Sequence, residues 1–507
     1  MRPVNKMIVL GGGSAGFLAA LTAKIKLPEL EIKIIRSPDI GIIGVGEGTV
    51  WTMPVFLHSY LGIDPRPFHQ TVRPTYKLGI RYLWGPRPLF HYSFDRQFNW
   101  HYDALPKPNG YYCDELFDYA SNACALMEHN RAFAVQQDGG PVIDTTSAYH
   151  LENETFVRFL EDYATRQLGI EIVDDTVQEV EQDAWGVRSL IPRTGHRALR
   201  DCHLHCSGFR SRLLAGAFGE EWVSFESTLF CDRAVVGGWQ RTNEPLLAFT
   251  TAETMDAGWC WQIEHDNWIN RGYVYSSSFL SDDEAEAEFR KKNPKIESTR
   301  LLRFRSGRYR RFWRQNVVAI GNASGFVEPL EATALWLICK QLAEFVNVLR
   351  DGEREVETEQ IDAYNRSVAL WWDSVRRFLA VHYKFNTRVD TPFWQQCHHH
   401  TDLAGGEDFV NYYQAVGPST NCEGTLGKDD MFGLEGWLAM MVGQQVPYKR
   451  KYQPSQRDWE QWRYIHQGVR DRARTAMRQE DGLRIIRAPD WNWNLEYFRR
   501  ASPWNPR

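Results

Sequence analysis

Gly11, Gly13 and Gly16 form a G-x-G-x-x-G run close to the start of the chain, and its setting constrains the fold more than any other feature. Residues 7–10 before it are a short apolar run, the mark of a strand buried on both faces. Residues 14–25 are rich in Ala and Leu at helical spacing, and residues 32–35 form a second apolar run. Strand, glycine turn, helix and strand make a βαβ unit, whose crossover is right-handed almost without exception. The three glycines have separate jobs. The first permits the tight turn, the second lets backbone approach a pyrophosphate, and the third lets helix pack on strand. The helix start at Ser14 and Ala15 then offers free N–H groups and a positive dipole end to that anion. A dinucleotide-binding α/β fold follows. An acid is expected at the end of the second strand to accept ribose hydroxyls, but Arg36 stands there, followed by Ser37 and Asp39. Arg36 suits a 2′-phosphate, or stacks on adenine while Ser37 takes the ribose. The run alone therefore leaves FAD and a nicotinamide both open.

Three further stretches place small residues after apolar runs. Residues 44–49 read GVGEGT and include Gly48. Residues 206–211 read CSGFRS, and residues 321–338 read GNASGFVEPLEATALWLI. Glycine at such points implies close approach of backbone to a ligand, although GVGEGT taken alone reads as an ordinary turn. Ligands in these folds lie beyond the carboxyl ends of the strands. Several glycine-rich strand ends thus point to one extended cofactor, and FAD spans that distance better than NAD.

A chain of 507 residues is too long for one ordinary core, so two lobes are expected. A net charge of −5, with acids and bases interspersed, argues against nucleic acid as the partner. No long uncharged apolar run or signal peptide is evident, and the nine cysteines are scattered and odd in number, so a reduced, cytoplasmic protein without a membrane role is expected. Cys397, His398, His399 and His400 are adjacent, but such side chains in a strand or loop point apart, and no metal site is expected. The pattern predicts an amphipathic helix over 151–169, a hairpin around residues 264–270, a solvated helix capped by Ser281, and a strand, loop and long helix stopping at Gly352. Beyond about 355 the chain reads as helical and Trp-rich, and from Arg484 onward as loop-like.

Residues 73–86, RPTYKLGIRYLWGP, contain one lysine among aromatic and aliphatic neighbours. Read as a single strand, alternation puts Lys77 with Gly79 and Arg81 on one face and Tyr76, Leu78, Ile80 and Tyr82 on the other. By itself that is the pattern of an edge strand whose charge blocks sheet-on-sheet pairing.

The ordered set of motifs resembles the flavin-dependent halogenases of the tryptophan-halogenase type. The glycine run is Gly11, Gly13 and Gly16, and the GVGE-A/G-T segment is residues 44–49. The catalytic lysine in its F/Y-K-x-x-I context is Lys77, with Tyr76 and Ile80. The G-N/D-A-x-G-F-V-E-P-L-E-S-T-G segment is residues 321–334. The likeness extends over residues 5–340. Departures are few. In the W-x-W-x-I-P signature, here Trp259, Trp261 and Ile263, Glu264 replaces the proline. Ala332 and Ala334 replace the Ser and Gly of E-S-T-G, and His205 stands where an acid is expected before CSGF.

The resemblance implies an FAD-binding Rossmann-like fold of the flavin monooxygenase type. Residues 1–350 would form the FAD-binding core with interleaved substrate-side strands, and residues 351–507 a mainly helical, Trp-rich C-terminal region. It implies cofactor contacts at Gly11, Gly13, Ser14, Ala15, Gly16, Arg36, Ser37, Gly48, Val177, Asn322 and Leu335. Reduced FAD would come from a separate flavin reductase, since no second nicotinamide fingerprint is present. With oxygen and chloride or bromide, the halide lying at the backbone of Thr333 and Ala334, it would yield hypohalous acid. Lys77 would hold or carry the halogen, as an ammonium donating a hydrogen bond or as an amine forming a haloamine. Glu331 would stabilise the cationic ring and take its proton, and Trp259 and Trp261 would separate flavin from substrate. The substrate would be a small electron-rich aromatic, indole- or tryptophan-like, and a homodimer is the default expectation. Blander readings stand beside these: Glu331 as a helix N-terminal acid, the tryptophans as plain core. A single-component aromatic monooxygenase and a non-catalytic flavin-binding protein are the competing functions.

Overall fold

The computed structural model of the chain describes residues 3–41, 44, 46–95, 117–195, 197–199, 201–428, 430–449, 453–494 and 498. Strand Lys6–Leu10, helix Ser14–Lys26 and strand Glu31–Arg36 form the βαβ unit. These strands lie inside a six-stranded sheet, in the order Glu171–Asp174, Glu31–Arg36, Lys6–Leu10, Cys202–His205, Val317–Ala319 and Trp313–Arg314. All neighbouring pairs are parallel except the last. The central strands are buried on both faces, which is why they read as unbroken apolar runs.

A seven-stranded sheet forms the second layer, ordered Thr299–Arg303, Arg233–Gln240, Trp268–Tyr275, Gly258–Glu264, Thr250–Met255, Gly79–Leu83 and Phe90–Ser93. It is antiparallel apart from the pairing of Gly79–Leu83 with Thr250–Met255. The predicted hairpin is present, with Glu264 opposite Ile269 and a turn over residues 265–267. Helix Asp282–Lys292 begins with a capping box of Ser281 and Glu284.

The stretch predicted as one strand around Lys77 is two. Thr75–Lys77 pairs with Ala148–Leu151, which also pairs with Glu47–Gly48, in a small three-stranded sheet. Gly79–Leu83 belongs to the seven-stranded sheet. Leu78 is the crossing point: its amide donates to the Ala248 carbonyl at 2.8 Å and its carbonyl accepts from the Phe94 amide at 3.0 Å. Strict alternation therefore fails across Leu78.

Helices Ala334–Asp351 and Thr358–Phe385 pack against these layers, followed by Pro392–His400, Glu407–Val416, Gly433–Gly443, Gln456–Thr475 and Gln479–Ile486. The three histidines 398–400 sit in the last turn of a helix, not in a strand or loop as predicted, and the His398 ring contacts the Lys384 carbonyl at 3.1 Å. Residues 484–486, read as loop, close the last of these helices. Among the described residues no helix is long and apolar enough to cross a membrane.

Candidate active site

Each glycine of the loop meets a different constraint. Gly11 has φ +131°, and a Cβ there would lie 2.3 Å from the Cys206 carbonyl oxygen. A Cβ on Gly16 would lie 2.0 Å from the Gly11 carbonyl oxygen, so helix and strand touch through backbone. A Cβ on Gly13 would meet nothing within 4 Å. Gly13 thus carries the face that stays open, and no side chain caps the helix start at Ser14. Backbone donors and a bare approach of this kind fit a dinucleotide pyrophosphate. Gly321 of the second loop leans on this site, its missing Cβ only 3.1 Å from that of Ala15, which places Asn322 next in line. Leu335 is buried in the first turn of the following helix.

Arg36 does not reach out. Its Nε donates to Asp174 at 2.5 Å and its two terminal nitrogens form a fork with Glu161 at 2.7 and 2.9 Å. Its stem lies against Gly12. With the guanidinium neutralised by two carboxylates, the 2′-phosphate reading loses its cation. Ser37 shares a 2.7 Å hydrogen bond with Thr176, next to buried Val177. His205 is held neutral, its pKa pushed down to about 3 by burial. Its Nε2 lies 2.7 Å from the Ser207 hydroxyl, so an uncharged acceptor occupies the place of the expected acid.

The second half of the site forms where the three-stranded sheet meets the seven-stranded one. Lys77 is 0 % exposed, and its ammonium nitrogen has no hydrogen-bond partner among the described residues. An edge-strand charge would face water, so that reading fails. A Cβ on Gly48 would touch Lys77 Nζ, Thr250 Oγ1 and Ala332 Cβ, at 3.4, 3.4 and 3.5 Å. The glycine therefore lets the lysine and the turn that carries Glu331 come together. Burial pushes the Lys77 pKa down to about 7, opposed by the charge of Glu331. His150, whose Nε2 lies 2.8 Å from the Thr250 hydroxyl, is held neutral by burial and by Lys77.

Glu331 is 1 % exposed and ends a one-turn helix, Pro329–Glu331. Tyr82 donates to its Oε1, and His382 Nε2 lies 2.6 Å from the same oxygen. Lys77 and Tyr82 are five apart, of opposite parity, yet both face Glu331 because the chain changes sheets at Leu78. Ala332 follows in the left-handed region at φ 55°. Thr333 and Ala334 then open a helix, where their amides have no acceptor within the helix. Ala334 is helical, so the glycine of the motif is not needed for its conformation.

Glu328, three residues earlier, is the second buried carboxylate. The Trp259 indole N–H donates to its Oε2 at 2.6 Å, and the Tyr383 hydroxyl donates to the same oxygen. Burial pushes its pKa up to about 7. Trp259 and Trp261 lie on one face of their strand, with ring centroids 6.0 Å apart. The Trp261 ring lies across Gly272, where a Cβ would be 2.0 Å from it. Glu264, in place of the motif's proline, forms a buried ion pair with Arg241 at 2.5 Å. Tyr82, His382, Glu328 and Tyr383 were not anticipated from the sequence. His382 and Tyr383 lie on a buried helix face that also holds Asn365 and Ser374, so polarity alone does not single them out.

The tryptophan halogenase family model matches residues 6–459. The chain belongs to that family. Tryptophan 7-halogenase RebH of Lentzea aerocolonigenes is 30 % identical over 451 residues, covering 81 % of this chain and 82 % of its own. The crystal structure of MibH, a lanthipeptide tryptophan 5-halogenase, superposes with a TM-score of 0.87 at 38 % identity, over 96 % of this chain and 94 % of that one. BrvH, a flavin-dependent halogenase from Brevundimonas sp. BAL3, does so with a TM-score of 0.82 at 25 % identity, over 95 % and 99 %. This halogenase is an enzyme of the flavin-dependent oxidoreductase type, and the fold expected from its motifs is the fold it has.

Proposed function

We propose that this enzyme halogenates an electron-rich aromatic ring, indole- or tryptophan-like, at a site made by Lys77 and Glu331. The observation that carries the reading is the buried amine of Lys77 beside the Glu331 turn, without a hydrogen-bond partner among the described residues. A lysine kept dry and without a hydrogen-bond acceptor has its donors and lone pair reserved for something that arrives. FAD would be held at Gly11, Gly13, Ser14, Ala15 and Gly16, with Ser37, Gly48, Val177, Asn322 and Leu335 along its length. When reduced by a separate flavin reductase, it supplies, with oxygen and chloride or bromide, the oxidising power that turns halide into hypohalous acid. The amides of Thr333 and Ala334 would hold the halide at the helix start. Lys77 would bind the hypohalous acid, or carry its halogen, and aim it at the ring. Glu331 would stabilise the cationic ring and accept the proton it loses. Trp259, fastened by Glu328, and Trp261 would form the wall between flavin and substrate.

Purified protein with FAD, a flavin reductase, NADH and bromide, offered indole, tryptophan and tryptophan-containing peptides, should give brominated product by mass spectrometry. Hydroxylated product without added reductase would instead identify an aromatic monooxygenase. No product across the panel would identify a flavin-binding protein without turnover.

A further inference from the structure

Glu331 is not a free base waiting for a proton. His382 Nδ1 lies 2.8 Å from the Phe378 carbonyl oxygen. A carbonyl only accepts, so that ring nitrogen carries its hydrogen and Nε2 is left to face Glu331. An N···O separation of 2.6 Å is that of a charge-assisted hydrogen bond, with a proton between the two atoms. Tyr82 donates to the same oxygen, and burial together with the charge of Glu331 pushes its phenol well above the ordinary value, so it stays a donor. The Tyr82 hydroxyl also lies 3.3 Å from His382 Nε2, closing a triangle. Both partners fall on Oε1 and neither on Oε2. The charge of Glu331 is also felt by Lys77, whose amine pKa it pushes up, and by the Tyr92 phenol, which it helps burial to push up.

We propose that His382 and Tyr82 are positioning residues for Glu331: they compensate its charge at Oε1 with a shared proton and present Oε2 to the ring carbon that takes the halogen. The inference rests on the halogenation reading above. As the carbon–halogen bond forms, the halogen–oxygen bond of hypohalous acid breaks. The C–H bond at the same carbon then breaks, its electron pair restores the aromatic ring, and its proton bonds to Oε2. The departing hydroxide takes up one proton to become water, so the pair of Glu331 and His382 returns to its starting state. A lone carboxylate in this dry site would be costly to keep ionised. The imidazole and phenol make the acceptor available without opening the site to water.

The test uses ring-deuterated tryptophan, free and in a peptide, in single-turnover bromination by wild type, His382→Gln and Tyr82→Phe. Glutamine can donate to Glu331 but has no proton to share. Wild type should show an isotope effect near one, because proton loss is not limiting. His382→Gln should slow product formation by about 10²-fold, the lower end of what general base catalysis contributes, and raise the isotope effect clearly above one. Tyr82→Phe should act in the same direction and less. A fall in product with the isotope effect unmoved in both variants means packing alone, and overturns the inference, as does unchanged product formation. The pairing is read without turnover from the ¹⁵N signal of His382, assigned by its loss in His382→Gln: it should shift in Glu331→Gln, and an unshifted signal overturns the inference. No bromination by wild type with a shifted signal would sink the halogenation reading and leave the pairing standing.

Discussion

The glycine loop draws its working parts from six consecutive residues and one neighbouring strand. The cluster around Lys77 and Glu331 draws its parts from positions 48 to 382, and Tyr82 and His382, which meet there, are 300 positions apart. In the loop, backbone does the work and side chains are excluded: a Cβ at 16 would strike the Gly11 carbonyl, and a Cβ at 11 would strike Cys206. Around Lys77, by contrast, the contacts are between side chains that distant elements bring together. A local site of the first kind tolerates no added carbon where its backbone meets, at Gly11 and Gly16. A site of the second kind depends on distant partners arriving together.

Substitutions that remove one part from each region sharpen this contrast. The largest effect is expected from Lys77→Ala, which should abolish halogenated product in the bromination assay. Product at the wild-type level would remove the lysine from the chemistry. Next comes Gly16→Val, which should cost more than about 4 kcal/mol and give little folded protein, because the clash is with backbone. Gly13→Ala should leave the melting temperature unchanged and weaken flavin binding by about tenfold, or about 1.4 kcal/mol. If the two glycine variants behaved alike in thermal unfolding and flavin titration, the division of labour within the loop would be wrong. Lys77→Met should raise stability at pH 7 by about 1–3 kcal/mol, since it replaces a buried polar group that lacks a hydrogen bond. The pH dependence follows with a definite sign. The Lys77 amine titrates at about 7 in the folded chain and at the ordinary lysine value of 10.5 when unfolded. Between those values the unfolded state binds the extra proton, so this residue makes wild type gain stability as pH rises. Lys77→Met should lack that slope in denaturant titrations. The smallest effect is on rate: if the neutral amine carries the halogen, bromination should climb severalfold with pH through about 7, whereas a falling profile would identify the ammonium as the active form.

The same contrast decides what could be read from the sequence. The glycine run, its strand and its helix were legible because their reasons are local: turn, close approach and packing all lie within the motif. Lys77 and Glu331 were recognisable only by likeness to a family. Physics alone made the lysine an edge charge, because alternation assumes one strand, and nothing in YKLGI signals a change of sheet at Leu78. Tyr82 was assigned to the opposite face for the same reason. His382 and Glu331 are paired by the packing of a helix whose sequence spacing says which side is apolar, but not which turn it meets. The Arg36 position read ambiguously because its partners, Glu161 and Asp174, lie on elements that only the fold brings beside it.

His382 and Tyr383 are neighbours in the last turn of one helix, and each holds a different carboxylate: His382 holds Glu331, and Tyr383 holds Glu328, which also binds the Trp259 indole. The two carboxylates are thereby yoked: tilting that helix end displaces both at once. A substitution that shifts this helix end is therefore felt at Glu328 and Glu331 together, and through Glu328 at the Trp259 indole.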